Sequence, residues 1–137
     1  MTDRRQAWTA LQALVTDRLD DYRREVAAVS GLPFSRARAL RRLAPGPITH
    51  GALAEALMTD RPAATVTVDD LCARGLAVRT PHPTDRRRKL VSLTEEGHRV
   101  AASVEAVVPP PPPGWAEVAP ADLEVLLRVV RSVGGSR

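Results

Sequence analysis

The chain has 137 residues, of which 44% are hydrophobic, 26% are charged and only 3% are aromatic. This length and composition fit one globular domain whose core is built from Leu, Val and Ala. No apolar run approaches the ~18 residues that a membrane span requires, and the first residues do not form a signal-peptide pattern, so we expect a cytoplasmic protein. The single cysteine, Cys72, excludes an internal disulfide and a cysteine-based zinc site.

The net charge of +4 is concentrated in the middle of the chain. Residues 32–100 hold 12 Lys and Arg against 7 Asp and Glu, whereas residues 1–31 hold 5 of each and residues 101–137 hold 3 against 4. A basic segment between nearly neutral ends suits a polyanionic partner, and arginine favours bidentate contacts to phosphates and base edges. The alternative interpretation is an arginine-rich composition without a specific partner.

The first third of the chain predicts two helices. Apolar residues recur every three or four positions from Trp8 to Val29, which indicates a long amphipathic helix. After a break at residues 30–33, Ser35 can cap a short helix that ends near Leu43. Its arginines are either a solvated face or contacts to the phosphates of a nucleic acid. They are Arg36, Arg38, Arg41 and Arg42.

Two further helices follow a turn at residues 44–47. Thr49 is placed to cap a helix that runs through Leu57. The next helix should begin at Asp60 or Arg61, with a proline tolerated in its first turn, and end at Arg74. Helical spacing predicts that this helix buries Ala64, Thr67, Val68 and Leu71 and exposes Arg61, Ala63, Thr65, Val66 and Asp69.

Residues 75–97 predict a short β-ribbon with a basic tip. Gly75 fits the left-handed position that ends the preceding helix, and Thr94 fits the N-cap of the next one. Prolines at 81 and 83 exclude a helix between them. In the extended segments, Leu76 and Val78 should share one direction, as should Val91 and Leu93.

The last part of the chain predicts two helices separated by a proline run. Val100, Val104 and Val107 continue the helix from Thr94 until residues 109–113, five prolines that should form a stiff polyproline II spacer of about 15 Å. A ligand for a proline-binding domain is the alternative reading of this run. The final helix should open at Pro120 and end at residues 134–135, with an aliphatic stripe that needs a partner subunit as its cover. The stripe consists of Leu123, Leu126, Leu127, Val130 and Val133.

The sequence around the basic tip resembles the wing signature of MarR-type bacterial transcriptional regulators. Three segments carry the resemblance: Gly75-Leu76-Ala77-Val78-Arg79, then Asp85-Arg86-Arg87, then Leu93-Thr94-Glu95-Glu96-Gly97. With further matches upstream of the wing, the resemblance covers roughly residues 30–100. It implies a mainly α fold with a small β-wing, in which residues 33–100 form a winged helix-turn-helix lobe and residues 1–32 and 101–137 form a helical dimerisation region.

The resemblance also implies a homodimer that binds a pseudo-palindromic site on double-stranded DNA. The helix from Arg61 would enter the major groove, where Ala63 and Val66 can contact thymine methyl groups and Thr65 can reach a phosphate or a base edge. Arg87 would lie in the minor groove, with Asp85 orienting the basic side chains through a salt bridge. The candidates for phosphate contacts are Arg86, Arg88 and Lys89 in the wing, and Arg36, Arg38 and Thr49 outside it.

Repression relieved by a small ligand is a further implication of the resemblance. Trp8, Tyr22 and His50 are weak candidates to line an effector pocket, although core packing explains the aromatic residues equally well. The sequence contains no metal-ligand spacing and no catalytic motif, so we expect neither a cofactor nor an enzyme. The alternative function is a winged-helix protein-interaction module that has weak or lost DNA reading.

Overall fold

The computed structural model describes residues 3–134. Residues 1, 2 and 135–137 of the predicted dimerisation region, including the helix end expected at Gly135, lie outside this range. The described chain is mostly helical, with a small antiparallel sheet. The elements are α1 (Arg4–Ser30), α2 (Phe34–Leu43), β1 (Ile48–Thr49), α3 (His50–Ala56), α4 (Arg61–Ala73), β2 (Ala77–Pro81), β3 (Lys89–Leu93), α5 (Glu95–Glu105), a 3-10 turn (Trp115–Glu117) and α6 (Pro120–Gly134).

Local capping sets the starts of α3 and α4 as predicted. Thr49 Oγ1 accepts a hydrogen bond from the N–H of Ala52 at 3.2 Å, and an Asp60 carboxylate oxygen accepts one from Ala63 at 2.8 Å. The cap predicted for α2 is wrong. This helix starts at Phe34 after Pro33, so Ser35 lies inside the first turn and caps nothing.

The main core lies between α2, α3, α4, α5 and the sheet. Its largest side chains are aliphatic and fully buried, as the composition predicts. A second, smaller cluster joins α1 to α2 and α5 through Val26, Ala37 and Val104, with Tyr22 and Phe34 at its edge. The main core includes Leu40, Leu43, Leu53, Val68, Leu71 and Val91.

The sheet has three strands in the order β1-β3-β2, all antiparallel. The pairing of Ile48 with Val91 adds a short third strand that the sequence did not indicate. The orientation predicted for Val78 is wrong. Leu76 is buried in the turn before the strand begins, and the alternation then places Ala77 inside and Val78 outside, 43% exposed.

Thr94 links the wing to the start of α5 through hydrogen bonds. Its N–H donates to the carbonyl of Leu76 at 3.0 Å, its hydroxyl donates to the carbonyl of Gly75 at 2.7 Å, and its Oγ1 accepts from the N–H of Gly97 at 3.0 Å. Gly75 has φ +72° and ends α4 as predicted. The ribbon and the helix that follows it therefore share one anchoring side chain.

The two ends of the described chain leave apolar surface uncovered. Val26 is the one buried residue of α1, and α6 contains no buried residue. Helix α5 ends at Glu105, and the proline run after it is neither helix nor strand. In residues 3–134 no helix combines the length and apolar composition that a bilayer span requires.

Candidate nucleic-acid interface

The wing and the first turns of α4 enclose a basic cleft of about 550 Å³. The fold brings together residues that are up to 40 positions apart in the sequence, and most of them were predicted to contact DNA. Five arginine and lysine side chains contribute to its walls. The cleft is lined by Thr49, His50, Gly51, Arg61, Thr65, Arg79, Arg87, Arg88 and Lys89.

The face of α4 that the sequence assigned to the major groove is exposed. Arg61, Ala63, Thr65 and Val66 all lie at the surface, and Val66 is 58% exposed although it is aliphatic. The Thr65 hydroxyl donates to the carbonyl of Arg61 at 3.0 Å, which leaves its oxygen able to accept a further hydrogen bond. Direct reading of bases by this face therefore depends on few polar groups.

Arg79 is a cleft residue that the sequence analysis missed as a site residue. Its guanidinium forms an ion pair with Asp69 on α4, and its Nε donates to Nε2 of His50 at 3.3 Å. Nη1 lies 3.8 Å from the sulfur of Cys72. The alternation of residues along β2 could have identified it, because it places Arg79 on the same side of the strand as the buried Ala77.

His50 lies beside this guanidinium at the start of α3. Burial is the main cause that lowers the pKa of His50, and the positive charges of Arg79, Arg61 and Lys89 lower it further, against an opposing effect of Asp69. The imidazole is therefore neutral near pH 7, which lets Nε2 accept the hydrogen bond from Arg79.

The acidic residues of α4 do not leave free negative charge at the cleft. Asp69 is neutralised by Arg79, and the Asp70 carboxylate binds Arg36 at 2.8 Å and Arg74 at 3.0 Å. Hydrogen bonds from Arg36 first, and then from Arg74, hold the pKa of Asp70 below its ordinary value. Arg36 is only 22% exposed and ties α2 to α4 through this ion pair, so its contact with a phosphate stays a prediction.

The salt bridge predicted for Asp85 is absent from the described residues. The carboxylate instead accepts a hydrogen bond from the N–H of Arg87 at 3.0 Å, and the Asp85 carbonyl accepts one from the N–H of Arg88 at 3.0 Å. A side chain as short as aspartate reaches the backbone two residues ahead more readily than a distant guanidinium. The exposed guanidinium groups of Arg86, Arg87 and Arg88 form no ion pair within residues 3–134.

The three residues predicted to line an effector pocket do not meet. Trp8 is 59% exposed on α1, about 21 Å along the helix from Tyr22. His50 lies in the basic cleft, whereas Tyr22 lines a separate apolar groove of about 530 Å³. This groove runs between α1 and the proline segment, and its lining includes Leu14, Val15, Leu19, Tyr22, Pro109 and Trp115.

Comparison with known proteins supports the same fold. A model of the MarR family matches residues 30–88. No match was found among curated protein sequences.

Among solved structures, RV1404 from Mycobacterium tuberculosis is similar at 25% identity and a TM-score of 0.76, over 100% of this chain and 99% of that one. A mutant MarR from E. coli complexed with operator DNA is similar at 22% identity and a TM-score of 0.62, over 95% and 99% of the two chains. BldR, a transcriptional regulator from Sulfolobus solfataricus, has 20% identity and a TM-score of 0.69, over 97% and 100%. The MarR family model thus matches the segment that forms the helix-turn-helix, β2 and the wing loop, and the chain shares the fold of these solved winged helix-turn-helix structures.

Proposed function

We propose that this protein is a homodimeric repressor that binds a specific site on double-stranded DNA through residues 33–100. The basic cleft is the observation that carries the proposal. It gathers Arg61 and Thr65 from α4 and Arg87, Arg88 and Lys89 from the wing on one surface, while ion pairs neutralise the acidic residues beside it. Such a surface suits a helix in the major groove and a wing over the adjacent backbone.

Within this proposal, the wing arginines have different roles. Arg87 enters the minor groove, and Arg86, Arg88 and Lys89 contact phosphates, as do Arg38 and Thr49. The solved complex of a mutant E. coli MarR with operator DNA supports the class of partner. The roles of the individual residues rest on the exposure and position of their side chains here.

Both ends of the chain form the dimer in this proposal. Helix α6 carries Leu127 at 52% and Val130 at 46% exposure, and α1 carries Trp8 and Val15 at similar levels. An aliphatic stripe on a helix without a buried residue requires a cover, and the same surface of a second copy supplies one in a symmetric dimer. Two lobes would then face a pseudo-palindromic site about one helical turn apart.

A small apolar ligand relieves repression in this proposal, and the apolar groove beside Tyr22 is the candidate site. The Tyr22 hydroxyl accepts a hydrogen bond from Arg41 on α2 at 3.1 Å, and Arg41 also pairs with Glu105 on α5 at 2.8 Å. A ligand that moves Tyr22 would therefore act on the contact between α1 and the DNA-binding lobe.

The proposal is tested with duplexes selected by the protein from a random-sequence pool. Arg87→Ala should weaken binding to a selected duplex more than to a scrambled one, whereas Arg88→Ala should weaken both alike. Arg24→Ala removes the same charge from an exposed position on α1 and should change neither affinity. Equal losses for Arg87→Ala on both duplexes would contradict a base-reading role for this residue.

A winged-helix module for protein interaction is the second candidate function, and the exposed aliphatic Val66 is the observation that favours it. It predicts binding of neither the selected nor the scrambled duplex.

A further inference from the structure

The wing tip is organised around the imidazole of His82. Nδ1 of His82 lies 3.2 Å from the backbone nitrogen of Asp85 and 3.3 Å from that of Thr84. The Thr84 hydroxyl is also 3.3 Å from this nitrogen. The backbone of His82 closes the same loop, because its N–H donates to the carbonyl of Arg88 at 3.1 Å.

These contacts fix the protonation of the ring. A backbone N–H can only donate, so Nδ1 must be an acceptor without a proton, and the ring proton of neutral His82 must be on Nε2. The two N–H groups belong to a loop between strands, where no ladder partner is available to them. Both N–H groups instead donate to the imidazole, which is therefore the acceptor that orders the turn.

We propose that His82 is a positioning residue for DNA binding, whose neutral imidazole holds the wing loop in the conformation that directs Arg87 and Arg88 into the basic cleft. The inference rests on the proposed function. His82 acts through the loop: it shapes the turn from which the two arginines emerge, and it needs no contact with DNA.

Two substitutions of His82 distinguish the loss of the hydrogen-bond acceptor from the loss of the imidazole ring. In His82→Asn the side-chain oxygen takes the position of Nδ1 and accepts the same hydrogen bonds. In His82→Ala no acceptor remains.

The experiment measures the ratio of affinities for the selected and scrambled duplexes at pH 8. We expect His82→Ala to lose about tenfold in this ratio, the equivalent of one or two lost hydrogen bonds. We expect His82→Asn to keep the wild-type ratio. A ratio in His82→Asn as low as in His82→Ala, or a wild-type ratio in His82→Ala, would overturn the proposal.

Nuclear magnetic resonance of the free protein tests the loop without DNA. Imidazole nitrogen shifts at pH 8 should place the proton of His82 on Nε2, and the amide hydrogens of Thr84 and Asp85 should exchange with solvent faster in His82→Ala than in the wild type or in His82→Asn. A proton on Nδ1, or equal exchange in His82→Ala and the wild type, would overturn the positioning role. Failure of any duplex to be enriched from the pool would instead count against the proposed function, and these spectra would still decide the role of His82 in the loop.

Discussion

The Arg79 guanidinium on β2 forms an ion pair with the Asp69 carboxylate on α4, so the wing is joined directly to the helix whose outer face lines the basic cleft. The same guanidinium donates to His50 at the start of α3. One side chain thus links three elements that contribute to the cleft, and the relative position of wing and helix depends on it.

Replacing Arg79 with Met should lower the free energy of unfolding by about 1–2 kcal/mol, because it removes charge-assisted hydrogen bonds at a partly buried position. Arg74→Met is the matched control. It removes one exposed pair within α4 and should cost no more than about 0.5 kcal/mol. Urea unfolding followed by circular dichroism measures both variants. A smaller effect at Arg79 than at Arg74 would refute the linking role.

Gly97→Ala should destabilise the fold at the junction of the wing and α5. A Cβ atom at this position would lie 2.0 Å from the carbonyl oxygen of Leu76 and 3.2 Å from Cβ of Leu93. Because backbone must move to accept the methyl group, we expect a loss of about 1–3 kcal/mol in the free energy of unfolding.

Gly51→Ala provides the control for this substitution. The atoms nearest to the new methyl group would all belong to the flexible guanidinium of Arg61, the closest of them at 3.0 Å. Helix propensity favours alanine over glycine, so the free energy of unfolding should stay equal or rise by up to about 1 kcal/mol. Equal losses in the two variants would show that the close approach to Leu76 is not the cause.

Acid should destabilise the protein through His50. Because its pKa is lowered in the fold, the neutral form is favoured there. The stabilisation is complete above the unfolded pKa of about 6.5 and is lost as the pH falls below it. His50→Asn should therefore reduce the fall in thermal stability between pH 7.5 and pH 5.5. If thermal stability depends on pH in this variant as it does in the wild type, burial and Arg79 do not lower the pKa of His50 as described.

The structure explains which features the sequence predicts well. Thr49, Asp60 and Thr94 cap helices through bonds to residues three positions ahead, so their roles can be read from local sequence. Asp70 forms its bond to Arg36 across 34 positions, and the pairing of Ile48 with Val91 is also remote. Such contacts depend on the packing of whole elements, which local patterns do not specify.

Val78 and Asp85 show how local patterns can also mislead. The start of β2 at Ala77 shifts the alternation by one residue and turns Val78 outward. The short Asp85 side chain binds its own turn, where the family signature implies an ion pair. Three of the five basic side chains in the cleft, Arg87, Arg88 and Lys89, are adjacent in the sequence, which is why the sequence predicts a basic surface at the wing.

The proposed dimer predicts a strong effect of charge on α6. Val130→Glu should convert the protein to a monomer, because it places a carboxylate in the apolar stripe of an interface. Ser132→Glu adds the same charge to the opposite face of the helix and should leave the dimer intact. Analytical ultracentrifugation at micromolar concentration measures both. A dimeric Val130→Glu variant, or a monomeric wild type, would contradict the proposed interface.

The most direct test of the account is the affinity of the purified protein for a duplex selected from a random pool, compared with a scrambled duplex across a salt series. Fluorescence anisotropy should show that the selected duplex binds ~1000-fold or more tightly than the scrambled one. Equal affinities with the same steep dependence on salt would mean that the basic cleft contacts phosphates without reading sequence. That result would contradict a regulator that recognises a specific site.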